Sequence, residues 1–328
     1  MQNLSGKSVL FFCPTFFNYE KEIQGALERL GANVVWFDDR PSNNVYSKAL
    51  IRINKNFLKN KINNYYDSIL EKLAGKKLDY LFFVNPESIS LESLSRLKKA
   101  FPEAKCILYM WDSFKNRKQN LELLPLFTSK FTFDPHDAEK YDLKLRALFY
   151  TRAYSNKEAG NIEFDFLFVG TAHSDRYIFV NKLIEAASIK NAKLYFYLSS
   201  KLLFAFKKIF DKSFRQVKYS DVSFKSLGHH DIADLMCRSK VVLDINHPNQ
   251  IGLTMRTLET LGVQRKLVTT NKDILKYDLY NEANILLIDR EDPKLDTAFF
   301  NVPFQPSTPE LLFKYSIDGW ISNIFELE

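Results

Sequence analysis

The stretch from Lys240 to Arg290, KVVLDINHPNQIGLTMRTLETLGVQRKLVTTNKDILKYDLYNEANILLIDR, narrows most what this chain can fold into. Val241 to Ile245 is a short, β-branched apolar run, the mark of a buried strand. Asn246 to Gly252 is a loop of polar turn formers. The spacing then predicts a helix from about Thr254 to Leu261, stopped by Gly262 as its C-cap. Lys266 to Thr269 and Asn284 to Ile288 read as two further strands. Strand, loop, helix, strand is the unit of a parallel α/β sheet, which holds ligands at the carboxyl ends of its strands. The His247–Gly252 loop and the first turn of the helix lie at such an end.

Within that helix Thr254, Leu258 and Leu261 share one face, and Arg256 and Glu259, three apart, share roughly the opposite one. A helix N-terminus favours anions. There Arg256 can grip a phosphate with two N–H groups, and Glu259 can accept two hydroxyls of a ribose or sugar. The alternative is a solvated ion pair on an exposed helix face.

The chain opens with a strand, Ser8 to Cys13, the loop Pro14 to Asn18, and an amphipathic helix, Tyr19 to Leu30, capped by Gly31. A second strand, Asn33 to Phe37, completes a β-α-β opening without the G-x-G-x-x-G of a dinucleotide fold. Residues 43–77 have a basic helical pattern: either a solvated helix packed on one side, or a membrane-facing element. Leu78–Val84 and Lys105–Met110 read as strands around a helix, Leu91–Ala100. Asp112, in Trp111-Asp112-Ser113, follows the second of these strands. Its carboxylate can take the proton of an attacking hydroxyl as a general base, or it can cap the next segment. Phe131–Phe133 and Ala147–Tyr150 close the first half as strands, and Thr151–Gly160 is polar enough to be a linker.

The second half restarts with the strand Phe164–Val169. Gly170, Thr171 and the residues up to Ser174 lead to a helix beginning near Arg176. Gly170 permits close backbone approach, and Arg176 can meet a diphosphate from the side opposite Arg256. An ordinary strand-to-helix turn is the alternative. Lys193–Leu198 is another strand. In residues 201–218, KLLFAFKKIFDKSFRQVK, six basic residues and one acid accompany a crowd of apolar side chains. This segment is expected to be one amphipathic helix that meets a membrane surface through Lys207, Lys208, Phe210 and Lys212, with a domain-packing helix as the rival. His229-His230-Asp231 has no third ligand spaced to join a metal site; a cap by Asp231 on the helix Ile232–Cys237, or a contact to a bound ligand, is expected instead. A last helix is expected over Pro309–Phe325.

At 328 residues the chain suits two domains. Its 29 Phe and 16 Tyr argue for packed cores and against disorder. Cys13, Cys106 and Cys237 are far apart without metal-ligand spacing, so reduced buried thiols in a cytosolic protein are expected. Neither a signal peptide nor a membrane-spanning run is expected. A net charge of +7 attracts polyanions. No nucleic-acid-binding motif accompanies it, and a nucleic-acid partner is not expected.

The run HPNQ-IGLTMRTLETLG followed by KLVTTN and ILKYDLYNEANILLIDR, with Tyr109–Ser113 and Phe168-Val169-Gly170 plus Arg176, resembles the GT-B-type glycosyltransferases that build bacterial lipopolysaccharide and capsule, including the CgeB-like group. The resemblance is specific in the final third and weak before residue 100. The glycine-rich loop that follows the first strand in many such enzymes is missing here. What it implies is an α/β fold of two Rossmann-like domains with parallel sheets and an interdomain cleft: an acceptor-side domain over 1–152, a nucleotide-sugar-binding domain over 160–306, and a C-terminal helix over 307–328 that crosses back to the first. It implies transfer of a hexosyl or deoxyhexosyl group from a nucleotide-sugar to a glycolipid or oligosaccharide acceptor. Gly170, Thr171, Arg176, His247, Thr254, Arg256 and Glu259 would hold the donor, and Asp112 would serve the acceptor. No metal or other cofactor is expected, since cations would meet the charge of the departing diphosphate. A cytoplasmic protein, peripheral on the anionic inner face of the membrane, fits the same picture. A non-catalytic GT-B-like scaffold of a polysaccharide assembly complex is the alternative that the missing glycine-rich loop favours.

Overall fold

Long apolar strands without alternation, such as SVLFF, YLFFV and KCILYM, can only be satisfied inside a sheet covered on both faces. The computed structural model, which describes residues 3–44, 51, 55–155, 160–172, 175–248 and 250–327, contains two such sheets. The chain divides into unit 1, Met1–Ala147 with Ile317–Glu328, and unit 2, Leu148–Ser316.

Unit 1 runs β1 (Ser8–Phe12), α1 (Tyr19–Arg29), β2 (Asn33–Phe37), α2 (Lys59–Lys72), β3 (Tyr80–Val84), α3 (Leu91–Ala100), β4 (Lys105–Met110), β5 (Ser129–Thr132), α4 (Pro135–Tyr141) and β6 (Lys144–Leu145). Its sheet has the order β2-β1-β3-β4-β5-β6, and every pairing is parallel. Phe12, Phe83, Leu108 and Tyr66 belong to its core. Gly31, at φ +92, turns the chain from α1 into β2, and a Cβ there would meet the Ser5 backbone at 2.9 Å. A left-handed turn in so close a place admits only glycine.

Unit 2 runs β7 (Phe164–Thr171), α5 (Arg176–Ala186), β8 (Ala192–Tyr197), α6 (Lys201–Phe210), β9 (Val222–Ser223), α7 (His229–Cys237), β10 (Ser239–Asp244), α8 (Met255–Gly262), β11 (Lys266–Thr269), β12 (Ile285–Leu287) and α9 (Pro309–Tyr315). Its parallel sheet has the order β12-β11-β10-β7-β8-β9. Read from β9, this is the 3-2-1-4-5-6 order of a dinucleotide-binding fold, whose direction of winding reverses between β7 and β10.

Several expectations are corrected. Ala147–Tyr150 is not a strand of the first half: the run from Leu148 belongs to unit 2, where Tyr150 makes a parallel bridge to Ser316. The expected linker over 151–160 is in part a helical turn, Arg152–Tyr154, while 156–159 lie outside the described residues. In the basic stretch 43–77 the described part is a 3-10 turn, Lys55–Leu58, followed by α2; residues 45–50 and 52–54 lie outside. The segment 201–218 is not one helix. α6 ends at Phe210, and the Asp211 carboxylate caps a separate 3-10 turn, Lys212–Phe214. Asp231 caps α7 as expected, but from inside the first turn, where its carboxylate accepts from Gly228 N at 3.2 Å; the helix itself begins at His229, earlier than expected. The three cysteines are buried and form no disulfide. No described helix is long and apolar enough to cross a membrane.

The expected last helix is two. α9 ends at Tyr315, the cap residue Ser316 has an extended backbone (φ −72, ψ 161), and α10 (Ile317–Ile324) belongs to unit 1. There Trp320 lies fully buried against Tyr109, 4.7 Å between ring centroids, and Phe82 at 6.0 Å. Ion pairs from Asp318 to Arg29 (3.1 Å) and from Glu326 to Lys105 and Lys144 (2.6 and 2.7 Å) rim the contact. They are partly exposed, and each contributes at most about 1 kcal/mol. Truncating a buried Trp costs about 3–5 kcal/mol, so the indole dominates. Trp320→Ala is expected to lower the unfolding free energy by about 4 kcal/mol in urea melts, whereas Glu326→Gln is expected to change it by less than about 1 kcal/mol.

Candidate functional site

The direction of winding reverses between β7 and β10, and in open α/β sheets the carboxyl ends of the strands at such a switch point are where ligands bind. Three arginines gather there. Arg176, in the first turn of α5, donates to Thr171 Oγ1 at 3.1 Å and to the carbonyl of Ile245 at 2.7 Å. Arg256, in the first turn of α8, pairs with Glu259 at 2.7 Å and reaches the carbonyl of Val169 at 3.4 Å. Arg290, beyond β12, clamps Asp175 through two bonds of 3.0 and 2.6 Å and donates to the carbonyl of Asn246 at 2.6 Å. Burial pulls the Arg176 guanidinium below its ordinary value; Asp244 opposes the shift, and the neighbouring Arg290 and Arg256 add to it. Arg176 is thus a desolvated cation that donates to two neutral oxygens, with the carboxylates of Asp244 and Asp175 and the cations Arg290 and Arg256 close enough to act on it.

Asp244, the last residue of β10, is buried and accepts from Thr254 Oγ1 and Thr257 Oγ1, both at 2.7 Å. Burial pushes its carboxyl up, against those two hydroxyls and the charges of Arg176 and Arg256. Thr254 is the N-cap of α8 and accepts from Thr257 N at 3.2 Å. The carboxylate therefore moors the helix start to the strand end. The preceding loop is tied by Asn271, which donates to the carbonyls of Ile251 and Gly252 at 3.2 Å, and by Asn246, which donates to Gln250 O at 2.9 Å.

The structure overturns the solvated ion pair. Glu259 is only 3 % exposed, and with Arg256 it faces inward, next to Tyr154. Burial, then the charge of Glu259, pushes the Tyr154 hydroxyl well above its usual range. Tyr154 also lies 3.3 Å from His229 Nδ1. Gly262 is likewise not a left-handed C-cap. It is the last residue of α8, Val263 follows as the cap, and the positive φ falls at Gln264. What Gly262 supplies is space, since a Cβ there would sit 2.7 Å from the Tyr150 ring.

The residues expected at the donor site divide as follows. Arg176, Thr171, Thr254, Arg256 and Glu259 come together around the ends of β7 and β10. Gly170 and Thr171 lie in β7 itself, not in a loop, and a Cβ on Gly170 would meet the Phe168 ring at 2.8 Å. His247 is exposed in the loop after β10. His173 and Ser174 of the expected β7 loop, and Asn249, lie outside the described residues. Sequence reasoning missed Asp244, hidden inside an apolar run, and Tyr154, taken for linker. It also missed Arg290, whose partner Asp175 lies far away in sequence. His229 and His230 form no metal cluster; among the described residues no three His, Cys, Asp or Glu side chains are placed to hold an ion.

In unit 1, Asp112 lies beyond the carboxyl end of β4. It accepts from Ser113 N (3.0 Å), Asn116 Nδ2 (2.8 Å) and Arg117 Nε (3.2 Å). Arg117 also pairs with Glu87 at 2.5 Å, and Glu87 with Arg40 at 3.4 Å. Phe16 and Phe17, both half-exposed, and Trp111 lie in the same region, with the Phe16 and Trp111 centroids 6.0 Å apart. Of the four surface residues on and after α6, Phe210 and Lys212 point to solvent. Lys207 and Lys208 turn back: Lys207 pairs with Asp211 at 3.2 Å and lies over Phe214, and Lys208 donates to the carbonyl of Arg215 at 2.7 Å.

Removing the Asp244 carboxylate strands the buried hydroxyl of Thr257 and the half-buried one of Thr254. Asp244→Ala is expected to cost about 3 kcal/mol by chemical denaturation. Gly262→Ala is expected to cost about 1–3 kcal/mol by overpacking against Tyr150, and the same change is expected to cost less when made in a Tyr150→Ala background, as a double-mutant cycle in urea would read.

No protein-family model matches the chain, and no curated protein matches it in sequence. Solved structures do match over nearly their whole length. The sucrose-phosphate synthase of Thermosynechococcus elongatus superimposes with a TM-score of 0.65 at 12% identity, covering 98% of each chain. Anabaena Alr3699/HepE in complex with UDP and glucose gives 0.60 at 11%, again over 98% of each. The trehalose-6-phosphate protein of E. coli bound with UDP-2-fluoro glucose gives 0.60 at 11%, covering 98% of this chain and 100% of that one. With two six-stranded parallel sheets, one per unit, the chain has the two-domain α/β fold of the GT-B glycosyltransferases.

Proposed function

We propose that the chain is a nucleotide-sugar-dependent glycosyltransferase whose unit 2 binds the donor. The desolvated guanidinium of Arg176, with Arg256 and Arg290 beside it at the switch point of the sheet, carries this reading. A nucleoside diphosphate supplies the anion that such a cluster attracts. Glu259, oriented by Arg256, accepts the ribose hydroxyls. In transfer, an acceptor hydroxyl attacks the anomeric carbon and gives its proton to Asp112, the bond from that carbon to the phosphate oxygen breaks, and negative charge gathers on the departing diphosphate. Guanidinium groups fixed in advance stabilise that charge, each by about 3 kcal/mol as oxyanion donors do. On this reading the protein's own cations do the work, and no metal is needed.

UDP and UDP-glucose are the first ligands to test, because proteins of the same fold carry UDP, UDP-glucose or a UDP-2-fluoro glucose in their structures. The choice of a hexosyl or deoxyhexosyl group, and of a lipopolysaccharide or capsule glycolipid as acceptor, rests on the sequence resemblance. Asp112 is the acceptor-side carboxylate in this scheme. A second reading, a GT-B-like binding protein without catalysis, is favoured by one observation: three donors already occupy the Asp112 carboxylate.

A nucleotide at about a hundred times its dissociation constant is expected to stabilise the protein by roughly 2.7 kcal/mol, read as a thermal shift. Arg176→Ala is expected to abolish the shift and Glu259→Gln to weaken it. A panel of nucleoside diphosphates and nucleotide-sugars that produces no shift, or a shift indifferent to Arg176→Ala, would overturn the donor site. Asp112→Asn is expected to keep the shift and lose transfer. A shift in the wild type without consumption of any nucleotide-sugar, with acceptor present, would establish the binding-protein reading instead.

A further inference from the structure

The outer face of α6 answers to nothing in the donor site. Leu202, Phe206, Ile209 and Phe210 are 81, 57, 66 and 68 % exposed, the densest group of exposed large apolar side chains on any described helix. At ~100° per residue they fall within an arc of about 100°. The opposite face is satisfied: Phe204 is buried against Phe214 and Tyr219, at centroid distances of 5.4 and 5.3 Å. The outward side chains are therefore not core residues caught at an edge, and Phe206 and Phe210 pack on each other at 4.6 Å in full view of solvent.

Charge identifies what would cover them. Lys201, Lys212, Arg215 and Lys218 are all exposed around the helix and the turn that follows it. Asp211 is the one acid from 201 to 218, and Lys207 already pairs with it. A second copy of this face would bring cations against cations. An anionic bilayer offers the complement, with acyl chains for the apolar stripe and headgroups for the basic fringe.

We propose that α6 and the turn after it dock unit 2 on an anionic membrane surface, with Leu202, Phe206, Ile209 and Phe210 inserted at the level of the acyl boundary and Lys212, Arg215 and Lys218 on headgroup phosphates. The inference stands apart from the donor site, since vesicle binding is read without nucleotide.

The test is sedimentation of the full chain with vesicles of phosphatidylcholine containing phosphatidylglycerol, against phosphatidylcholine alone. Binding is expected to the anionic vesicles only and to fall as salt screens the cations. Loss of each of Lys212, Arg215 and Lys218 is expected to weaken it about fivefold. The quadruple change L202S/F206S/I209S/F210S is expected to abolish binding while leaving the cooperative melt and any nucleotide shift in place, because these side chains are each more than half exposed and lie outside the core. Failure of the wild type to sediment with anionic vesicles, or equal sedimentation of the quadruple variant, would overturn the proposal. So would a concentration-dependent dimer lost in the quadruple variant without vesicle binding, which would assign the face to a second copy.

Discussion

A buried carboxylate at a strand end governs the geometry of each unit. In unit 2 it is Asp244, held between the hydroxyls of Thr254 and Thr257. With the first turn of α8 moored there, the helical repeat fixes where Arg256 and Glu259 stand. In unit 1 it is Asp39, just past β2, which accepts from the backbone N–H groups of Glu87 and Ser88, both at 2.6 Å, and from Tyr66 OH at 2.8 Å. That tie sets the turn after β3, and from the turn Glu87 reaches Arg40 and Arg117, and through Arg117 the neighbourhood of Asp112. Burial pushes both carboxyls up. Each unit thus places its polar edge from one interior anchor.

Such anchors are costly. Taking a carboxylate out of water carries a penalty of several kcal/mol, which donors of fixed geometry only partly return. The stability of the sheets comes from elsewhere, from paired apolar strands and stacked rings such as Phe12 and Phe83 at 4.7 Å. The anchors specify where the loops stand, and the apolar cores make the whole affordable.

The division between legible and illegible in the sequence follows the range of the forces. β2, β4, β11 and α3 begin and end where their apolar runs and caps place them, because those signals are local. The helix breaks at Asp211 and Ser316 escape periodicity, since the apolar spacing continues across both. Gly262 looks like a helix stop and is a packing gap, because the ring that needs the gap, Tyr150, lies over a hundred residues away. Arg256 and Glu259 look solvated by spacing alone; Tyr154, from a stretch that reads as linker, closes over them. In the same way Arg290 acquires meaning only from Asp175. Motif chemistry marked the helix start of the site, and tertiary contacts supplied the rest.

The extended residue at Ser316 also orders events in time. Unit 2 is continuous in the chain, from Leu148 to Ser316. Unit 1 is not, because Trp320 and Phe325, which pack on Phe82 and Tyr109, are made after all of unit 2. On the ribosome the second unit therefore has its full complement of residues first. The earlier-made sheet must wait with an uncovered aromatic patch until translation has passed residue 325, which makes that interval the moment at which a nascent chain of this design most needs protection.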